Sequence, residues 1–406
     1  MKKNFRNIGP VILFGVFFCV ASFGHYTDSA IAEPIGEPLP IGVLGVFSGA
    51  AASWGLPLKY TTEITAERIN SEGGLLVDGV RHPIKLYAED DKFDVKVTRA
   101  AAEKMIFEHK VKYIMGPNAS LECSALTVVS EPAKVIYVGY GHGTKALWGP
   151  QHPYGILGMR AGYETAPFAY SYLMEKHKVK SVILITKNYE GGLKIQNLSA
   201  EAAKKLGLNV ISAKETYEPN TVDFFPLMGR VVKQNPDFLD LTAASSYDAA
   251  LISKTARQLG YKGPIMMTTS NDAATVNQVA GKLGEGLLWI GNIVPGSGLA
   301  TPAMDKLKEA YVKKVGEWNE PAAGFVYALE MVAYTLQKAG SKALKDTDVF
   351  RKAMPSIEWP DPYIKGNIKI RYIGKEIFGH NQQIGKPIVL MQMKDGVGVP
   401  IKIGEY

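Results

Sequence analysis

Ile41-Gly42-Val43-Leu44-Gly45-Val46-Phe47, followed by Ser48-Gly49-Ala50-Ala51-Ala52-Ser53-Trp54-Gly55 and then a helical pattern from about Pro57 to Asn70, sets out a strand, a turn of small residues and a helix in that order. A short apolar run bounded by a glycine turn reads as a strand covered on both faces, the kind that parallel sheets use. The unit recurs. Ile84 to Ala88 reads as a second strand, Val95 to Glu108 as a helix, and Tyr113 to Met115 and Val135 to Val138 as a third and fourth strand, together one doubly wound lobe. From Gly162 the series starts again, with a helix to Tyr172, a strand over Ser181 to Thr186, a helix around Lys194 to Leu206 and a strand near Val210. Phe224 to Gln234, Phe238 to Thr242, Ala249 to Leu259, Ile265 to Thr269 and a closing strand near Leu287 to Ile290 complete a second sheet. Two helices, Pro302 to Trp318 and Pro321 to Ala339, and a strand-rich tail from Gly366 to Ile403 are left over. The expected architecture is therefore α/β: two doubly wound lobes joined by about three crossovers, with a cleft between them. Lobe one is placed at 38–158 plus 297–352 and lobe two at 159–296 plus 353–406.

The chain has 406 residues, more than one core usually organises, and its 46% hydrophobic and 21% charged residues have the balance of a folded globular protein. Lys2, Lys3 and Arg6 precede an uncharged apolar stretch from Val11 to Ala21, and Ala30-Ile31-Ala32 follows. That order is a secretory signal over residues 1–32, cut after Ala32, with cleavage nearer Ser22 or Gly24 and an uncleaved anchor as alternatives. The apolar run falls short of the ~20 residues that span a bilayer. Phe18, where a lipoprotein signal has a small residue, speaks against lipidation of Cys19. Removing the leader lowers the formal charge from +7 to +5, and the lysines are scattered along helices such as Lys306 to Lys314. This is a solvated face and not a nucleic-acid surface. Only Cys123 remains, which excludes an internal disulfide. The expectation is an exported monomer, periplasmic or extracellular, without cofactor or metal.

Open parallel sheets bind ligands beyond the carboxyl ends of their strands, where free N–H groups of helix N-termini suit anions. Several loops at such ends carry unusual residues. Trp54 stands alone among small residues after the first strand and packs inward if the turn is an ordinary one. Gly116-Pro117-Asn118-Ala119-Ser120 follows the third strand, where Ser120 either caps a helix or offers its hydroxyl to a ligand carboxylate. Gly139-Tyr140-Gly141-His142-Gly143-Thr144 follows the fourth, and its glycines allow close approach while His142 offers a donor or acceptor. In the second half Asn188-Tyr189-Glu190-Gly191-Gly192, Ser245-Ser246-Tyr247-Asp248 and Ser270-Asn271-Asp272 occupy equivalent places. Each could be an ordinary cap or turn; their recurrence in both halves carries the argument. The chain has no Gly-x-Ser-x-Gly elbow, His-Glu-x-x-His helix, Gly-Lys-Ser/Thr loop or paired-cysteine site, and the spacing Gly42, Gly45, Gly49 is not the dinucleotide fingerprint. An enzyme is not expected.

Ile41-Gly42-Val43, Ile69-Asn70-Ser71-Glu72-Gly73-Gly74, Glu89-Asp90-Asp91, Tyr113-Ile114-Met115-Gly116-Pro117, Met159-Arg160, Gly281-Lys282-Leu283-Gly284-Glu285-Gly286 and Gly324-Phe325-Val326-Tyr327-Ala328 recur in one order in a known family. From Leu39 to about Gly396 the chain resembles the extracellular ligand-binding receptors of branched-chain amino acid ABC transport, the type I periplasmic binding proteins. The resemblance implies that Ser120, with backbone groups around Asn118 and Ala119, meets a ligand carboxylate. A second contact falls on Gly141, His142 and Gly143, where amino-acid binders have alanine and threonine. Tyr189 would close over the ligand, and Ser246 or Tyr247 would follow; beside these, Trp54, Asn271 and Phe325 are further candidate ligand contacts. Amino-acid binders also carry an acid for the ligand ammonium in the segment Thr269-Ser270-Asn271-Asp272. The aligned position here is uncharged, and Asp272 or Asp248 would have to substitute. That departure favours a ligand with no amine, an organic or aromatic acid or an amide, with an amino acid as the alternative. The implied partner is an ABC permease that recognises the closed form; a ligand-sensing domain is the other reading.

Overall fold

The computed structural model describes residues 34–49, 51–141 and 147–404. The proposed leader, together with His142 and Gly143, lies outside them. The chain opens with β1 (Leu39–Gly45) and α1 (Ala52–Ser71), a hairpin of β2 (Leu75–Val77) and β3 (Val80–His82), then β4 (Ile84–Asp90), α2 (Val95–Glu103), β5 (Tyr113–Met115), α3 (Ser120–Ser130), β6 (Ile136–Gly139) and β7 (Gly155–Leu157). β1 lies between β4 and β5, and β6 and β7 continue the parallel sheet outward. β5, β6 and β7 are buried at every residue because helices cover both faces. α1 begins five residues before the expected start. Pro57 sits in its second turn, where it forfeits only one intrahelical bond.

The second series is α4 (Gly162–His177), β8 (Ser181–Lys187), α5 (Glu190–Lys205), β9 (Asn209–Tyr217), α6 (Phe225–Val232), β10 (Phe238–Leu241), α7 (Ser246–Gln258), β11 (Ile265–Met267), α8 (Ala273–Ala280) and β12 (Leu288–Gly291). Its sheet runs β9-β8-β10-β11-β12 in parallel. The chain then supplies α9 (Pro302–Val315), α10 (Ala322–Phe325) and α11 (Tyr327–Ala339), all packed on α1 of the first lobe.

The tail differs from the expected division. After α12 (Thr347–Ala353) come β13 (Glu358–Pro360), β14 (Lys369–Ile373) and β15 (Gln383–Gly385), which extend the first sheet and not the second. β15 joins β7 in parallel, Gln383 opposite Leu157, and the Gln382 side chain accepts from Gly149 N at 3.0 Å and donates to His152 O at 2.7 Å. Apolar alternation marks these residues as strands but does not say which open edge receives them. Lobe two receives only β16 (Ile388–Lys394) and β17 (Val397–Gly404), an antiparallel hairpin on β12, so β12 is interior and does not close the sheet.

The chain thus passes between the lobes at 158–161, 292–301 and Lys386–Pro387. Side chains tie these crossovers together. Arg160 pairs with Glu164, Gln383 donates to Glu164 and to Met159 O (3.1 Å), and Lys386 Nζ donates to Asn292 Oδ1 (3.2 Å) and Gly324 O (3.3 Å).

Candidate functional site

The carboxyl ends of β1, β5 and β6 in lobe one, and of β8, β10 and β11 in lobe two, carry the loops singled out in the sequence. In lobe one the turn after β5 is built on close approach. A Cβ on Gly116, whose φ is +106°, would stand 1.7 Å from Leu44 O, so only glycine lets this loop cross the end of β1. Asn118 then donates to Trp54 O at 3.1 Å, fastening the loops after β5 and β1 to each other. Gly141 brings the loop after β6 against α3: a Cβ there would stand 3.1 Å from Ser120 Cα and from the buried Cys123 sulfur. Trp54, Asn118, Ala119, Ser120 and Gly141 are thereby brought together. Phe325 lies edge-on to Tyr140 at 4.6 Å, adding its ring from α10. Trp54 does not pack inward. It is 44% exposed and meets Phe93 edge-to-face at 5.7 Å.

Ser120 is the first residue of α3, not its cap. Ala119 occupies the N-cap position in an extended conformation and supplies no side-chain bond. α1, behind Ala51, and α5, behind Tyr189, also lack side-chain caps. In α1 the leading N–H groups are largely used, Ala52 N donating to Gly49 O at 3.2 Å and Trp54 N to Ala51 O at 3.0 Å, whereas those of α3 and α5 have no intrahelical acceptor and carry the positive end of the helix dipole, so two anion-favouring termini stand at the strand ends.

Lobe two presents Tyr189 and Tyr247, 38% and 48% exposed. Ser246 Oγ accepts from Asp272 N at 2.9 Å, which joins the loops after β10 and β11. Both candidate aspartates are already engaged. Asp272 caps α8, accepting from Thr275 N (2.9 Å) and Thr275 Oγ1 (2.5 Å). Asp248 is 5% exposed, faces Lys187 Nζ at 2.8 Å, accepts from Tyr217 OH at 3.1 Å and closes a capping box with Ser245. Asn271 is 2% exposed, and neither its amide oxygen nor its amide nitrogen has a hydrogen-bond partner.

Sequence reasoning missed three groups at these loops. Lys187 pairs with Asp248 and Tyr217 donates to it, and both are ordinary strand-end residues when read alone. Glu320, in the turn before α10, reaches from lobe one to the N-terminus of α8 in lobe two. Burial and the nearby Asp272 push its carboxyl up to about 7, against the pull of the Ala273 N–H. A small cavity of about 200 Å³, lined by Pro153, Arg351, Lys352, His380 and Gln382 among others, lies at the amino ends of β7 and β15 and gathers none of the candidate residues. Among the described residues no cluster of three or more His, Cys, Asp or Glu is placed to hold a metal, and no helix is long and apolar enough to cross a membrane.

Residues 38–397 match the family described as periplasmic binding protein. Among curated proteins, an uncharacterised protein of Methanocaldococcus jannaschii is 23% identical over 232 residues, 54% of this chain and 53% of that one, so the match spans about half of that relative. The Leu/Ile/Val-binding protein homolog 4 of Brucella abortus is 25% identical over 333 residues, 77% of this chain and 76% of the other. Among solved structures, a solute binding protein of an ABC transporter from Rhodopseudomonas palustris BisB5, in complex with 3,4-dihydroxybenzoic acid, has a TM-score of 0.72 at 18% identity, covering 91% of this chain and 97% of that one.

Proposed function

The chain belongs to the periplasmic binding protein family, and from that premise we propose that it is the exported substrate-binding component of an ABC importer. It holds a small carboxylate-bearing solute, an organic or aromatic acid in preference to an amino acid, between lobes that close on their hinge. The observation that carries this reading is the contrast between uncapped helix termini and engaged aspartates. α3 and α5 leave N–H donors for an anion, whereas Asp272 is bound as a helix cap and Asp248 is paired with Lys187. A buried ammonium without an opposite charge is costly, and neither aspartate is available to supply one. The Rhodopseudomonas palustris protein, solved with 3,4-dihydroxybenzoic acid, supports the same preference. The amino-acid alternative is kept by the Brucella relative, named for leucine, isoleucine and valine.

Closure follows from two binding surfaces on one hinge. A ligand docked on Ser120 and its loop gains contacts from Tyr189 and Tyr247 only when the lobes approach, so it selects the closed form. An ABC permease that recognises this form is the expected partner. The discriminating experiment is a thermal-shift screen of benzoate-type acids, short aliphatic acids, leucine and glutamate. A ligand at 100 times its Kd stabilises by about 2.7 kcal/mol. Stabilisation by the acids, and not by leucine or glutamate, supports the proposal; stabilisation by leucine alone restores the amino-acid reading.

A further inference from the structure

Among the buried polar groups of lobe two without a partner, Asn271 is one that stands at a strand-end loop and has both halves of its amide unpaired. Its side chain is 98% removed from solvent, yet its amide nitrogen and oxygen both lack partners, as does Thr269 Oγ1 two residues earlier. Buried amides are almost always paired, and leaving both halves of one unpaired is costly. The loop itself is firmly held, because Asp272 N donates to Ser246 Oγ and the Asp272 carboxylate caps α8. The unsatisfied amide is therefore a fixed feature at the carboxyl end of β11, among the loops that carry the other candidate residues.

We propose that Asn271, together with Glu320 arriving from lobe one, forms a neutral polar subsite that reads a hydroxyl group carried by the acid at the end away from its carboxylate. This rests on the acid reading above and narrows it to hydroxy acids. Hydrogen-bond inventory makes the selection. A primary amide offers two donors and an acceptor, so it is best met by a group that both donates and accepts, as a hydroxyl does. An ammonium only donates, and would leave the Asn271 N–H groups unpaired. Glu320 fits the same partner. Its carboxyl is largely buried at the α8 N-terminus beside the Asp272 carboxylate, an environment that favours the protonated form, and a protonated carboxyl likewise donates and accepts. Because Glu320 belongs to lobe one and Asn271 to lobe two, a hydroxyl between them would bridge the two lobes.

The test is calorimetric titration of the mature protein with matched pairs: benzoate against 3-hydroxy-, 4-hydroxy- and 3,4-dihydroxybenzoate, and butyrate against 3-hydroxybutyrate, with leucine as a further probe. At least one hydroxylated acid is expected to bind about tenfold or more tighter than its parent. Asn271→Leu should bring that acid down to the affinity of the parent, Glu320→Leu should remove part of the preference, and Glu320→Gln, a neutral donor and acceptor, should retain it. Equal affinity for parent and hydroxylated acids in the wild-type protein overturns this inference while leaving the acid reading intact, and needs no variant to fold. Loss of the preference in Glu320→Gln also overturns it. Tight leucine binding that collapses in Glu320→Gln, or failure of every acid to bind, overturns both.

Discussion

Ser120 opens α3 one position after the place where a serine would cap it. That single-residue offset removes the capping role that the sequence left open, because a serine at the N-cap spends its oxygen on the helix, whereas one at the first helical position does not. Ser120→Ala is accordingly expected to weaken acid binding about ten- to hundredfold, the value of a hydrogen bond to a charged group, with a melting temperature close to wild type. Calorimetry and thermal denaturation of the same sample check it; unchanged affinity with a lower melting temperature would make Ser120 structural. Trp54 makes a similar point. A lone tryptophan among alanines and glycines reads as readily inward as outward, and its exposure became visible only with the Phe93 ring and the Asn118 side chain in place beside it.

Helix termini divide the candidate loops into two kinds. α7 and α8 carry complete side-chain caps from Ser245 and Asp272, while α1, α3 and α5 carry none. Asp272 is thus a part of α8, and Asp272→Ala should cost about 1 kcal/mol of stability, the usual value of a lost cap. Urea denaturation measures this, and a parallel titration with leucine and a hydroxybenzoate would expose a direct ligand role as a loss of affinity far larger than the loss of stability. The hairpins belong to this scale as well. Asp78-Gly79 and Asp395-Gly396 both have positive φ at the two central positions, the turn that matches strand twist, and each joins its strands through two residues. The second places β17 beside β16 and so gives lobe two its last strands, while β13, β14 and β15 went to lobe one.

At the scale of the whole molecule the crossovers are lined by buried ionisable groups, Arg160 and Lys386 among them. Lys386 lies inside the hinge, where burial, with Arg160 adding to it and Asp361 opposing it, lowers its ammonium to about 7. Its native pKa is below the unfolded value, so between about pH 7 and 10.5 the unfolded chain binds a proton that the native one has released. Stability contributed by this site therefore rises with pH across that window, and below it the full burial penalty applies. Relative to Lys386→Met, the wild-type protein should gain about 2 kcal/mol between pH 7 and pH 9, read from urea midpoints at the two values; equal pH dependence of the two proteins would show that Lys386 stays charged in the hinge. The alternation of short apolar strands with helices was legible in the sequence, and with it the α/β class, the two lobes and the strand-end loops, because burial on both faces of a parallel strand is recorded in its own consecutive residues. The edge that receives the tail strands, the engagement of Asp248 and Asp272, and the approach of Glu320 to α8 were not legible. Those depend on groups distant in the chain meeting in space, and a carboxylate reads the same in sequence whether it caps a helix, faces a lysine or waits for a ligand.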